Sequence, residues 1–171
     1  MTDRVYTAED NYNVNAGLDI VFATMMDNPI IIEDCRKNGG KSGGLYCRVP
    51  HAGGPPSYVR WLGTVPDAER QQYWNNALKK CLGLSERPGA MRSGDPGVRN
   101  PKRKIWGGGI HGIEDDHALS GLTENGDEVF SIYAALQQDD ILKEDALRLM
   151  QSNPLGRRII ATGGLRFGGV M

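Results

Sequence analysis

Glycine punctuates this chain so often that no regular element can run far without meeting a flexible joint. Pairs or triplets stand at Gly39-Gly40, Gly43-Gly44, Gly53-Gly54, Gly107-Gly108-Gly109, Gly163-Gly164 and Gly168-Gly169. Glycine reaches φ > 0 without steric cost, so such clusters mark tight turns or close approaches between backbones. They follow no period, which excludes a collagen-like repeat. The stretches between them are short and patterned. The fold expected is therefore α+β: one glycine-rich domain over residues 1–171, with about four helices around a small sheet of roughly three to five strands. A long irregular loop is expected near residues 84–109, and a glycine-rich tail over 163–171.

Apolar side chains at Leu18, Val21, Phe22 and Met25 make one helical face, with Asn15 as its cap and Asp27-Asn28-Pro29 as its stop. Ile30-Ile31-Ile32 reads as a short buried strand. Leu45–Val49 and Ser57–Leu62 are further strand candidates. A helix over 67–83 is the plainest, opened by Pro66-Asp67, closed by Gly83, and carrying Trp74, Ala77, Leu78 and Cys81 on one face. Val129, Ile132, Tyr133 and Leu136 mark another helix. A further one runs from Asp139-Asp140 to Asn153-Pro154, and the short link predicts an αα-hairpin. Arg157–Thr162 reads as a last strand.

With 39% apolar and 24% charged residues, the chain falls in the globular range and not the disordered one. Three cysteines (Cys35, Cys47 and Cys81) cannot complete a disulfide framework, which favours a reducing, cytoplasmic setting. The longest apolar run, Leu18–Met26, carries Asp19 and is too short to span a bilayer, so no membrane partner is expected.

The net charge is −1, yet it is unevenly laid out. Residues 87–104 carry six Arg or Lys against one Asp, a local +5, and residues 114–145 carry ten Asp or Glu against one Lys, a local −9. Opposite patches of this kind steer one molecule onto another, or face each other within one chain. The basic run Arg99, Lys102, Arg103, Lys104 with Trp106 is a candidate for binding phosphate or an acidic partner: its cations suit phosphates and its tryptophan suits base stacking.

Four constellations could carry chemistry. Gly40-Lys41-Ser42 resembles the end of a phosphate-binding loop, but Cys35 stands where that loop needs a glycine, and the residues after Ser42 read as a strand where it needs a helix. His111, Asp115 and His117, with Glu114 and Asp116 between them, supply the atoms of a metal site in a spacing that matches no zinc motif; the plainer reading makes Asp115 or Asp116 the cap of a short helix. Cys47 and His51 have zinc-like spacing that Cys35 and Cys81 could complete, or could act as a nucleophile with its base, although Cys81 on an apolar helix face is more simply core. The basic segment is the fourth.

Every set misses a required element, and no catalytic residue is assigned. The reading preferred on sequence is a non-catalytic binding or assembly subunit that docks other protein subunits, as a homo- or hetero-oligomer, through its polarised segments. The alternatives are a small metal-dependent enzyme with a loop-built site around residues 107–117, which would make a metal its cofactor, and a nucleic-acid-binding protein using residues 99–106.

Overall fold

The computed structural model describes residues 8–165. Its frame is a four-stranded antiparallel sheet of β1 (Ser42–Pro50), β2 (Tyr58–Thr64), β3 (Gly109–His111) and β4 (Asp115–Ser120), in the order β2-β1-β4-β3. Six helices pack around it: α1 (Ala8–Met26), α2 (Pro29–Lys37), α3 (Asp67–Ser85), α4 (Glu124–Gln137), α5 (Lys143–Ser152) and α6 (Pro154–Ala161). The α+β class holds, with six helices among the described residues where about four were expected.

Strand alternation sorts the core into two layers. Leu45, Cys47 and Ala118 point to one face, where α3 covers them with Tyr73, Ala77 and Cys81. Tyr46, Leu119 and Ile110 point to the other, against Phe130 and Val129 of α4 and Leu18, Phe22 and Met25 of α1. Phe130 meets Phe22 and Tyr46 edge-on, at centroid distances of 5.9 and 5.7 Å. Central β1 and β4 are thus buried on both sides, which hides the alternation a half-exposed strand would show. Gly121, at φ +151°, lets β4 leave the sheet against β1: a Cβ there would lie 2.4 Å from the Gly44 Cα.

Between α3 and α4 lies a buried ion pair. Lys80 Nζ, 2% exposed, donates to Asp127 Oδ2 at 2.8 Å and to the Leu119 carbonyl at 2.6 Å. Asp127 Oδ1 accepts from the Leu122 N–H at 2.8 Å. The charges are paired and hydrogen-bonded, as burial demands.

Several expectations are corrected. Ile30-Ile31-Ile32 lies in α2 and not in a strand: Asp27-Asn28-Pro29 ends α1 at Met26 as expected, but Asn28 also caps the Ile30 N–H at 2.9 Å and Pro29 takes the first turn of a new helix. Arg157–Thr162 is not a strand, because the Asn153 side chain accepts from the N–H groups of Leu155 and Gly156 and opens α6. Helix α1 begins at Ala8, ahead of the Asn15 cap expected. Asp140 caps no helix; α5 starts at Lys143. Residues 107–117, where a loop and a helix start near His117 are expected, carry β3 and the first half of β4. Gly40-Lys41-Ser42, as expected, runs straight into β1, so no helix N-terminus follows it.

Residues 86–108 contain only turns, isolated bridges and one 3-10 turn at Pro101–Arg103, so the long irregular loop is present. Of the expected glycine-rich tail, residues 166–171 lie outside the described residues. Among the described residues, no helix is long and apolar enough to cross a membrane.

Candidate metal centre

The site stands at the end of the sheet where β1 runs out and the β3–β4 hairpin turns. Pairing fixes who meets whom. His111 lies opposite Asp116, and Val49 lies opposite Asp116 from the other side. Directly opposed residues share a face, and so do residues two apart along a strand. His51, just past β1 and in step with Cys47 and Val49, therefore joins His111 and Asp116 on the α3 side. The His51 N–H donates to the Glu114 carbonyl at 3.1 Å, which holds this continuation of β1 beside the hairpin.

The same alternation sends Asp115 and His117 to the opposite face. His111, Asp115 and His117 therefore do not meet as one ligand set. Asp115 Oδ2 lies 3.2 Å from Arg48 Nε in a buried ion pair. His117 is fully buried, with Nδ1 2.6 Å from the Tyr46 hydroxyl and Nε2 2.7 Å from Asp140 Oδ2. Gln138 Nε2 donates to the Tyr46 oxygen at 2.9 Å, so that hydroxyl proton is left to donate to Nδ1 and Nε2–H serves Asp140.

This second network braces the first. Asp140 accepts the backbone N–H of Glu114 on Oδ1 at 2.8 Å and that of Asp115 on Oδ2 at 3.1 Å, while its carbonyl accepts from Ile113 at 2.7 Å. Asp140, three residues past the end of α4, thus grips the whole hairpin turn by itself. Burial raises the Asp140 carboxyl, but the hydrogen bond from His117 and the two backbone N–H groups outweigh it and hold the pKa below the ordinary carboxylate value. Gly112 makes room for the grip: a Cβ there would sit 2.2 Å from Asp140 Oδ2.

In the site itself, one ligand atom from each of His51, His111 and Asp116 lies within 4.8 Å of the others. Asp116 Oδ1 is 2.7 Å from His111 Nδ1 and 3.4 Å from His51 Nε2. The two imidazoles stack, with centroids 3.9 Å apart and planes 5° from parallel. Each histidine side chain is 28% exposed and Asp116 only 1%. The set is anchored from below and open to solvent above. Burial drives the Asp116 carboxyl up to about 7, reinforced by Asp115 and Asp140 and opposed by His51. Burial also lowers the His111 pKa, which favours the neutral, ligating imidazole.

Neutral imidazole and carboxylate form a donor set suited to zinc and to first-row divalent ions. Parallel rings aim their lone pairs side by side, so sharing one ion requires the imidazoles to hinge apart. Both imidazoles are partly exposed, so side-chain rotation on the solvent side can open that angle while the backbone stays held.

The sequence showed His51 only as a partner for Cys47. Cys47 instead lies fully buried, its sulfur 3.9 Å from that of Cys81 under α3. All three cysteines are free and buried. Burial raises the Cys35 thiol, and the Cys81 thiol is raised by its contact with Cys47 and by burial. None of this activates a nucleophile.

The basic segment lies elsewhere, and its arginines are paired within the chain while Lys102 and Lys104 make no ion pair with a described residue. Arg99 makes a two-pronged pair with Glu124 at 2.8 and 2.7 Å and lies over the Trp106 ring, 5.4 Å from its centroid. Arg103 does the same with Glu86 at 2.8 and 2.9 Å, and Arg92 reaches Asp95 and Glu128. Part of the +5 run thus faces part of the −9 run. Comparison with family models, curated proteins and solved structures found no match for this chain.

Proposed function

We propose that this protein binds a divalent transition metal of the zinc class through His51, His111 and Asp116 and acts as a small metal-dependent enzyme. The observation that carries this reading is the convergence of two half-exposed imidazoles on one buried carboxylate. A bound zinc-class ion with three protein ligands keeps a position open for water or substrate, which it polarises as a Lewis acid. Asp116 supplies the negative charge, His51 and His111 the neutral nitrogens, and Asp140 fixes the turn that joins their strands. The docking role expected from charge polarity has less support, since Arg92 and Arg99 already pair with Glu128 and Glu124. Free, buried cysteines suit the reducing cytoplasm in which we place the protein.

The Asp116 pKa gives this reading a sign. Ligation needs the carboxylate, so metal affinity rises as pH climbs towards 7 and falls by about tenfold per unit below it. The metal-free fold has the opposite dependence. A carboxyl whose folded pKa stands near 7, above its ordinary 3.8, contributes stability below 3.8 that is lost as pH rises through 7. Asp116→Asn removes that loss, so the metal-free variant is the more stable protein at pH 8, by roughly 1–3 kcal/mol, with little difference at pH 4. Urea unfolding of both proteins at the two pH values checks this. Equilibrium dialysis of chelator-stripped protein against zinc at pH 6 and pH 8 tests the binding: one saturable ion per chain, tighter at pH 8, supports the function, and no saturable zinc, cobalt, manganese or iron at either pH rejects it.

A further inference from the structure

On the far side of α3 from the sheet, the 3-10 turn Pro101–Arg103 and the half-buried Lys79 enclose a surface cavity of about 380 Å³. It is lined by Lys79, Lys102, Arg103 and Lys104 together with the apolar Leu82 and Ile105. Arg103 is engaged by Glu86. Lys79, Lys102 and Lys104 have no ion pair with any described residue, so three uncompensated cations share one concavity.

The loop that presents them is fixed in place. Asn100 and Ile105 exchange both backbone hydrogen bonds at 2.9 Å, and the Asn100 side chain accepts from the Arg103 N–H at 3.3 Å. Lys104 sits in the left-handed region at φ 57°, which turns the chain back towards Ile105. Ile105 itself is buried, and Gly83 packs beneath it: a Cβ at that glycine would come within 2.8 Å of Ile105 Cγ2. The Arg103–Glu86 pair pins the loop to the end of α3. The fixed loop keeps Lys102 and Lys104 at the cavity that α3 completes with Lys79.

We infer that this cavity is a polyphosphate-binding site, taking the di- or triphosphate group of a small molecule. Ammonium groups bind phosphate as point charges and do not need the planar match of a guanidinium, and three of them suit a ligand with several charged oxygens. The half-exposed Leu82 offers an apolar surface for the remainder of such a ligand. A single strand of nucleic acid is less well served, because Arg99 already covers a face of Trp106, the nearby stacking platform.

Calorimetric titration of metal-free protein with inorganic tripolyphosphate at low salt is the test, so that chelation at the histidine site plays no part and the two proposals fail separately. Wild type binds one tripolyphosphate per chain. Combined Lys79→Ala, Lys102→Ala and Lys104→Ala weakens that binding at least about tenfold, and Lys143→Ala, an exposed lysine elsewhere, leaves it unchanged. Absence of saturable binding by wild type, or equal binding by the triple variant, overturns the site. So does a single-stranded oligonucleotide that binds through these lysines while tripolyphosphate does not.

Discussion

Alanine at His51 or His111 lowers zinc affinity by roughly 100-fold or more, and the two together abolish saturable binding. Each residue supplies one of only three protein ligands, so either loss leaves an ion held by two groups and water. His51 is partly exposed and lies beyond the last residue of β1, so His51→Ala leaves the urea midpoint close to wild type. His111→Ala strips the buried Asp116 carboxyl of its 2.7 Å partner and costs roughly 1–3 kcal/mol of stability, while zinc binding collapses in both variants. The matched control is His117→Gln. His117 lies in the same stretch of sequence but on the other face of β4, bonded to Tyr46 and Asp140. Its substitution lowers stability first and touches the metal only through the hairpin turn. Zinc affinity retained in both single variants, measured with a competing chromophoric chelator, contradicts this assignment.

Lys80→Met costs about 3–5 kcal/mol of stability, because it leaves Asp127 charged and buried without its cation. For a domain of this size that lowers Tm by roughly 10 °C or more. The Leu119 carbonyl loses a donor in the same step. Adding Asp127→Asn to Lys80→Met removes the stranded charge while an amide oxygen still accepts from the Leu122 N–H, so the double variant regains a good part of the loss. Thermal unfolding of wild type, both single variants and the double variant closes the cycle. A double variant no more stable than Lys80→Met would show that the cost lies in lost packing and not in the unpaired carboxylate.

The parts of this fold legible in the sequence are those whose local signals agree with their final environment. Helix α3 has an apolar face and an acidic first turn, and strands β1 and β2 flank the loop that carries Gly53-Gly54. The region that builds the site was hidden for a physical reason. Asp115-Asp116-His117 has the composition of a helix start, yet it is a central strand whose polar residues are satisfied on two faces by different partners. Once it is a strand, residues adjacent in sequence part company, and His51, far away in sequence, arrives beside Asp116 through antiparallel pairing. Asn28-Pro29 and Asn153-Pro154 misled in the opposite direction. Asparagine before proline both ends one helix and caps the next, and only the residues that follow decide which is heard.

Zinc-edge anomalous scattering from crystals of the zinc-loaded protein bears most directly on the metal centre. The expected result is a single peak about 2.0–2.1 Å from a ring nitrogen of both His51 and His111, within bonding distance of an Asp116 oxygen, with the two imidazoles hinged out of their parallel stack. A zinc-loaded crystal with no peak there, or with its zinc held elsewhere while the His51 and His111 rings remain stacked, contradicts it.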